Sequence, residues 1–231
     1  LFSKGTLANQ ADITNYAQEK SKIPLMITLD GEWGLSMRLH DAPSYPRNLV
    51  IGAISDDEIV RLYGEEIARQ SKEMGIHVNF APVLDVHSNP QNPVIGSRAF
   101  GENASNVAKK GIAYSLGLES NGVMAVAKHF PGHGDTSEDS HLTLPTINHN
   151  RDRLDQVELL PFKEYINAGL SGMMTGHLNV PALQTKGMPS SLSPEVTTKL
   201  LKESMGFTGL SFTDGMAMKG VSSQVDASVK A

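Results

Sequence analysis

Five short apolar segments alternate with four helix-patterned ones along the 231-residue chain, and every apolar segment runs into a polar or titratable residue. This alternation predicts an α/β fold with a parallel sheet, because parallel neighbours need a crossover connection long enough to hold a helix. An open doubly wound sheet gathers its ligand groups at one switch point. A (β/α)8 TIM-type barrel instead turns the carboxyl ends of all its strands toward one pocket. Polar groups at all five strand ends therefore predict the barrel.

The first strand is read over residues 23–29, an apolar run ending on Asp30. Asp30-Gly31-Glu32-Trp33-Gly34 and the proline-bearing stretch 41–47 then form a long loop. Ser55-Asp56-Asp57-Glu58 opens a helix with a capping residue and acids in its first turn. Ile59, Val60, Leu62, Ile67 and Ala68 recur at helical spacing, and Gly75 stops it. Residues 78–84 form the second strand, ending on Asp85, followed by an Asn/Pro-rich loop and a helix over 104–119 closed by Asn121-Gly122. Residues 123–127 form the third strand, ending on Lys128-His129, and a helix spans 154–168. Residues 172–176 end on His177, and Ser193-Pro194-Glu195 starts a helix with proline in its first turn. The fifth strand, 209–213, ends on Asp214.

A closed barrel of this type has eight strands. The expectation is one barrel domain over residues 1–231, incomplete at both ends, with one strand before Leu1 and about two after Ala231. The start at Leu1, with neither Met nor a signal-peptide pattern, fits that reading and leaves cytoplasmic, periplasmic and secreted locations open.

Composition narrows the function. With 39% hydrophobic and 19% charged residues and a formal charge of −5, the chain has an ordinary globular make-up, and it lacks the Lys/Arg-rich run that nucleic acid would require. The absence of cysteine excludes disulfides and thiolate chemistry. No apolar stretch reaches the roughly 18–20 residues of a membrane-spanning helix. A monomer acting on a small carbohydrate is expected, with the possibility of a further C-terminal domain in the parent protein.

The densest chemistry lies in residues 128–141, where Lys128, His129, His133, Asp135, Glu138, Asp139 and His141 surround Gly132 and Gly134. Loops that carry chemistry have this composition. Asp139 lies two residues before His141; an aspartate on one imidazole nitrogen sets the tautomer and raises the pKa, so the other nitrogen can move a proton near neutral pH. The two glycines would let the loop close over a substrate. A zinc site built from His129, His133, Asp135, Asp139 and His141 is the rival, but the spacing fits no standard zinc motif and Lys128 would repel a cation. Asp214 could attack an anomeric carbon or could cap the next helix. Arg98 could bind sugar hydroxyls or pair with Asp85. Trp33, the single tryptophan, could stack on a sugar or serve as packing.

The run Lys128-His129-Phe130-Pro131-Gly132-His133-Gly134-Asp135 with Asp139-Ser140-His141 resembles the signature of glycoside hydrolase family 3, in its β-N-acetylhexosaminidase branch. Asp30-Gly31-Glu32-Trp33-Gly34 with Arg38, Ala81-Pro82-Val83-Leu84-Asp85-Val86 and Gly96-Ser97-Arg98-Ala99-Phe100-Gly101 are similar to further blocks of that family in the same order. The resemblance implies a (β/α)8-type barrel and a retaining glycosidase that needs no cofactor and no metal. It assigns the nucleophile to Asp214, within Asp214-Gly215-Met216 where the family writes Asp-Asp-Leu or Asp-Ala-Leu, and the acid/base to His141 oriented by Asp139. Sugar binding is carried to Asp30, Arg38, Arg98, Lys128, His129 and, less firmly, His177. The implied activity is exo-cleavage of β-N-acetylglucosamine from peptidoglycan- or chitin-derived sugars. A β-glucosidase or β-xylosidase of the same family and a non-catalytic sugar-binding barrel are the alternatives.

Overall fold

A computed structural model describes residues 4–138 and 143–222. Its strands β1 (Thr28–Leu29), β2 (Val78–Asn79), β3 (Met124–Phe130), β4 (Gly172–Thr175) and β5 (Leu210–Thr213) form one sheet in the order β1-β2-β3-β4-β5. All neighbours are parallel, with Thr28 against Val78, Val78 against Met124, Met173 against Ala127 and Thr175 against Thr213. Strand order that follows chain order, with no reversal, belongs to a barrel and not to a doubly wound sheet. The described residues form the partial (β/α)8-type barrel that the strand ends predicted.

The helices are α1 (Leu7–Lys20), α2 (Asn48–Ile51), α3 (Asp57–Glu73), α4 (Ala104–Ser120), α5 (Arg151–Gln156), α6 (Leu160–Asn167) and α7 (Lys219–Ser222), with a π-helical turn run at Glu195–Ser204. Asp56 caps α3 by accepting from the Glu58 N–H, and Asn103 caps α4 by accepting from Asn106. These caps satisfy amides that have no intrahelical partner.

Side chains of β3 alternate between two cores up to Ala127, and a register shift before Phe130 brings that ring to the same side as Ala125 and Ala127. Ala125, Ala127 and Phe130 pack outward with Val60 and Ile67 of α3, Val107, Tyr114 and Leu118 of α4, and Phe162 and Tyr165 of α6. Val126 points inward with Val78, Met174 and the half-buried Phe80, Met124 and Phe212. The Phe130 and Phe162 rings meet edge to face at 5.4 Å; burying each contributes roughly 1.5–3 kcal/mol. α3 and α4 approach closely at Gly64 and Gly117, where an added Cβ would lie 2.2 Å from the Tyr114 carbonyl oxygen and 2.1 Å from that of Arg61.

Several boundaries differ from the sequence reading. Residues 23–26 are not strand: Ile23 is 78% exposed, and Leu25 and Met26 are exposed with it. Gln18 instead pairs with both backbone groups of Leu25. The second strand stops at Asn79 because Pro82 has no amide to give, although Val83 bridges to Lys128 further along. The helix expected over 154–168 breaks into α5 and α6, with Pro161 in the first turn of the second. Ile59 and Leu62 face solvent while Val60, Gly64, Ile67 and Ala68 form the buried stripe of α3. α1 was not anticipated; it buries only Gln10 and Thr14, so no apolar stripe announces it.

Candidate active site

The strand ends do converge. Asp30, Glu32, Trp33, Met37, Arg38, Val94, Arg98, Lys128, His129, His133 and Asp214 line a cavity of about 310 Å³ at the carboxyl edge of the sheet. That volume suits a single sugar ring.

Its floor is a lattice of opposite charges. Lys128, from the end of β3, is buried, and its Nζ lies 2.9 Å from Asp30 Oδ1 and 2.9 Å from Glu32 Oε1. Arg98 grips Glu32 with both arms, Nε at 2.9 Å and Nη2 at 2.7 Å, and Arg38 Nη2 takes the other Asp30 oxygen at 2.9 Å. Burial pushes the Glu32 pKa up, but Lys128 and Arg98 outweigh it and hold the carboxyl far below the usual range. For Lys128, burial works against the charge, and Glu32 and Asp30 restore it and raise the pKa.

Asp85 organises the next layer. Fully buried, it accepts from the backbone N–H of His129 and of His133, the latter at 2.6 Å, and contacts His129 Nδ1 at 2.7 Å. A carboxylate acceptor places the proton on Nδ1 and leaves His129 Nε2 facing Arg98 Nη2 at 3.5 Å. Desolvation opposes the Asp85 charge, yet His129 and His133 keep its pKa below the ordinary value. His133 is itself 1% exposed, with Nδ1 2.8 Å from Thr136 Oγ1; burial draws its pKa down to about 4.

Asp214 follows β5, its N–H donating to the Thr175 carbonyl at 2.9 Å. Its Oδ1 accepts from the Gly215 N–H at 2.7 Å, and among the described residues it forms no ion pair. Burial would raise its pKa, but His129, the Gly215 amide, Lys128 and His177 together lower it. The carboxylate is therefore ionised and lines the cavity, and among the described residues its Oδ2 takes no hydrogen bond.

Comparison with known proteins bears on this arrangement. The model of the glycosyl hydrolase family 3 N-terminal domain matches residues 3–231. The chain belongs to this family. A beta-hexosaminidase A of Pseudoalteromonas piscicida is 40% identical over 92% of this chain and 39% of its own length. A beta-N-acetylglucosaminidase/beta-glucosidase of Cellulomonas fimi is 30% identical over 94% and 40%. The structure of a family 3 beta-N-acetylglucosaminidase from Paenibacillus sp. str. FPU-7 superposes with a TM-score of 0.87 at 40% identity, covering 94% of this chain and 42% of that one. The chain thus spans about two fifths of the length of these relatives.

Within this family 3 domain, Asp30, Arg38, Arg98, Lys128, His129 and Asp214 meet at one cavity. His177 is fully buried and lies outside the lining, with Nδ1 on Ser191 Oγ and Nε2 on the Gly215 carbonyl. Asp139 and His141 lie outside the described residues. The flanks of their segment are joined by Thr143 Oγ1 donating to Glu138 Oε2 at 3.2 Å and by the His149–Asp135 contact. Arg98 pairs with Glu32 and not with Asp85, which His129 occupies. Gly132 and Gly134 are wedged: a Cβ on Gly134 would fall 1.7 Å from the Val86 carbonyl oxygen, so this glycine permits close packing where a hinge had been expected. Trp33 lines the cavity half-buried, with the Arg47 guanidinium 3.5 Å over its ring.

Glu32, Asn92 and Ser191 were not singled out from the sequence. Asn92 braces the loop, donating to the carbonyls of His133 and Gly134 while accepting from Val94 and Ile95. Only Glu32 carried a signal, since it sits beside Asp30 in an acid-glycine-acid run. Among the described residues, the side chains arranged to hold a metal are Asp135, His149 and Glu158, whose ligand atoms lie within 4.8 Å of one another. Arg153 Nη2 contacts Glu158 Oε1 at 3.1 Å and Asp135 contacts His149, while Glu158 Oε2 is buried without a hydrogen-bond partner among the described residues.

Proposed function

We propose that the parent protein is a retaining exo-β-N-acetylglucosaminidase acting on peptidoglycan- or chitin-derived sugars, with Asp214 as nucleophile and His141, oriented by Asp139, as acid/base. The observation that carries this reading is the Asp214 carboxylate, ionised and free of ion pairs among the described residues, beside a floor in which every other acid is paired. In the first step Asp214 attacks the anomeric carbon as the bond to the leaving oxygen breaks, and His141 gives that oxygen its proton. In the second, His141 takes a proton from water, the water attacks the anomeric carbon, and Asp214 is released with the β configuration retained. Lys128, Arg38, Arg98, Asp30 and His129 present fixed donors and acceptors to the sugar hydroxyls, oriented in advance by their mutual pairing. His141 reaches the proton-donating state as an imidazolium, where most retaining glycosidases use a carboxyl of raised pKa.

The test uses the full-length protein and a chromogenic N-acetylglucosaminide. His141→Ala and Asp214→Ala should each cut hydrolysis by several orders of magnitude; unchanged hydrolysis in both would reject the assignment. A β-glucosidase is the second reading, favoured by the name of the Cellulomonas fimi relative. Comparing kcat/KM on matched glucoside and N-acetylglucosaminide substrates separates the two.

A further inference from the structure

We propose that His177 and Ser191 are positioning residues that hold the Asp214 carboxylate through a chain of hydrogen bonds running Ser191–His177–Gly215–Asp214. The inference rests on reading Asp214 as the nucleophile. The directions of the bonds are set by chemistry. The Gly215 carbonyl can only accept, so His177 Nε2, 3.1 Å away, must carry the proton. A neutral imidazole then has a bare Nδ1, and Ser191 Oγ at 2.7 Å donates to it. Burial lowers the His177 pKa, which keeps the ring in that neutral, single-tautomer form against the pull of Asp214. One residue on, the Gly215 N–H donates to Asp214 Oδ1 at 2.7 Å.

The consequence is a glycine held on both sides of its Cα, its carbonyl by His177 and its N–H by the carboxylate itself. Gly215 has no side chain to hold its turn. The Asp214 N–H donates to the Thr175 carbonyl where the strand ends, and within the following turn the Met218 N–H donates to the Gly215 carbonyl at 2.9 Å. That bond is local to the turn; His177, two residues beyond β4 and 0% exposed, ties the same carbonyl to the protein interior, and Ser191 keeps its tautomer correct. His177 thus serves the site from beneath, without touching the sugar. A displacement of about 1 Å at a reacting atom is enough to cost on the order of a hundredfold in rate.

The experiment uses the full-length enzyme and two readouts: steady-state kinetics, and the rate at which a 2-deoxy-2-fluoroglycoside labels Asp214, followed by mass spectrometry. Ser191→Ala should lower kcat and the labelling rate by about 10- to 100-fold while KM stays within about twofold. His177→Gln places an amide donor where Nε2 stood, and His177→Asn does not; the Gln variant should label at least about tenfold faster than the Asn variant. A rise in KM with kcat unchanged would make His177 a sugar contact and overturn the relay, as would a Ser191→Ala enzyme with unaltered kcat. Melting temperatures of all three variants within a few degrees of wild type separate misplacement from unfolding. Labelling of the wild-type protein at Asp214 tests the nucleophile reading by itself, whatever the variants do.

Discussion

The two acids at opposite ends of the sheet, Glu32 and Asp214, are both held ionised in a largely buried setting, and they are held by different means. Glu32 is clamped by Arg98 in two places and by Lys128, so both of its oxygens are committed. Asp214 is stabilised by one backbone amide and by the fields of His129 and Lys128. A contact pair consumes the lone pairs that a nucleophile needs; positive charge placed a few ångströms away lowers the pKa without occupying them. Among the described residues that line the cavity, Asp214 is the acid left out of the charged lattice.

The sharpest way to break this comparison is to neutralise each acid in turn in the full-length protein. Asp214→Asn should lower kcat by on the order of 10⁴-fold or more with an unchanged or slightly raised melting temperature. Glu32→Gln should do the reverse in part. It leaves Lys128 and Arg98 facing an amide in a dry site, at a cost of about 3–5 kcal/mol read by urea denaturation. Equal stability losses in the two variants would erase the distinction.

A smaller effect comes from His133, which packs against the same Asp85 that orients His129. Its pKa is drawn down to about 4 by burial, against an unfolded value near 6.5. Between those values the unfolded chain binds the proton and the folded one does not, so stability falls as pH drops through that window. The loss should reach up to about 3 kcal/mol by pH 4. His133→Gln should flatten the slope between pH 6.5 and 4, measured by denaturation at stepped pH. The smallest effect belongs to Arg47, laid over Trp33 outside the ion-pair lattice. Arg47→Ala should cost only about 0.5–1 kcal/mol, and a much larger loss would place Arg47 within the lattice.

Legibility followed sequence distance. The polar stops at Asp30, Asp85, Lys128-His129, His177 and Asp214 were readable because each ends an apolar run, and a parallel sheet puts those ends on one side. α4 was readable from its closing Asn121-Gly122, and its Asn103 cap came only with the structure. α1 was not, since a helix that buries only Gln10 and Thr14 carries no periodic apolar signal. Residues 23–26 misled for the opposite reason: they are apolar enough for a strand, yet no neighbouring strand reaches them.

The residue order by itself determined the α/β class, the order of the strands and the chemical types gathered beyond them, because these depend on local periodicity and on the alternation of short elements. Which acid pairs with which base was decided only by the tertiary structure. Glu32 finds Arg98 across 66 residues, Lys128 finds Asp30 across 98, and His177 reaches Gly215 across 38. Such pairings depend on how closely packed strands bring side chains within about 3 Å, and no local pattern encodes that distance. The same packing separates Asp214 from the acids that resemble it in sequence.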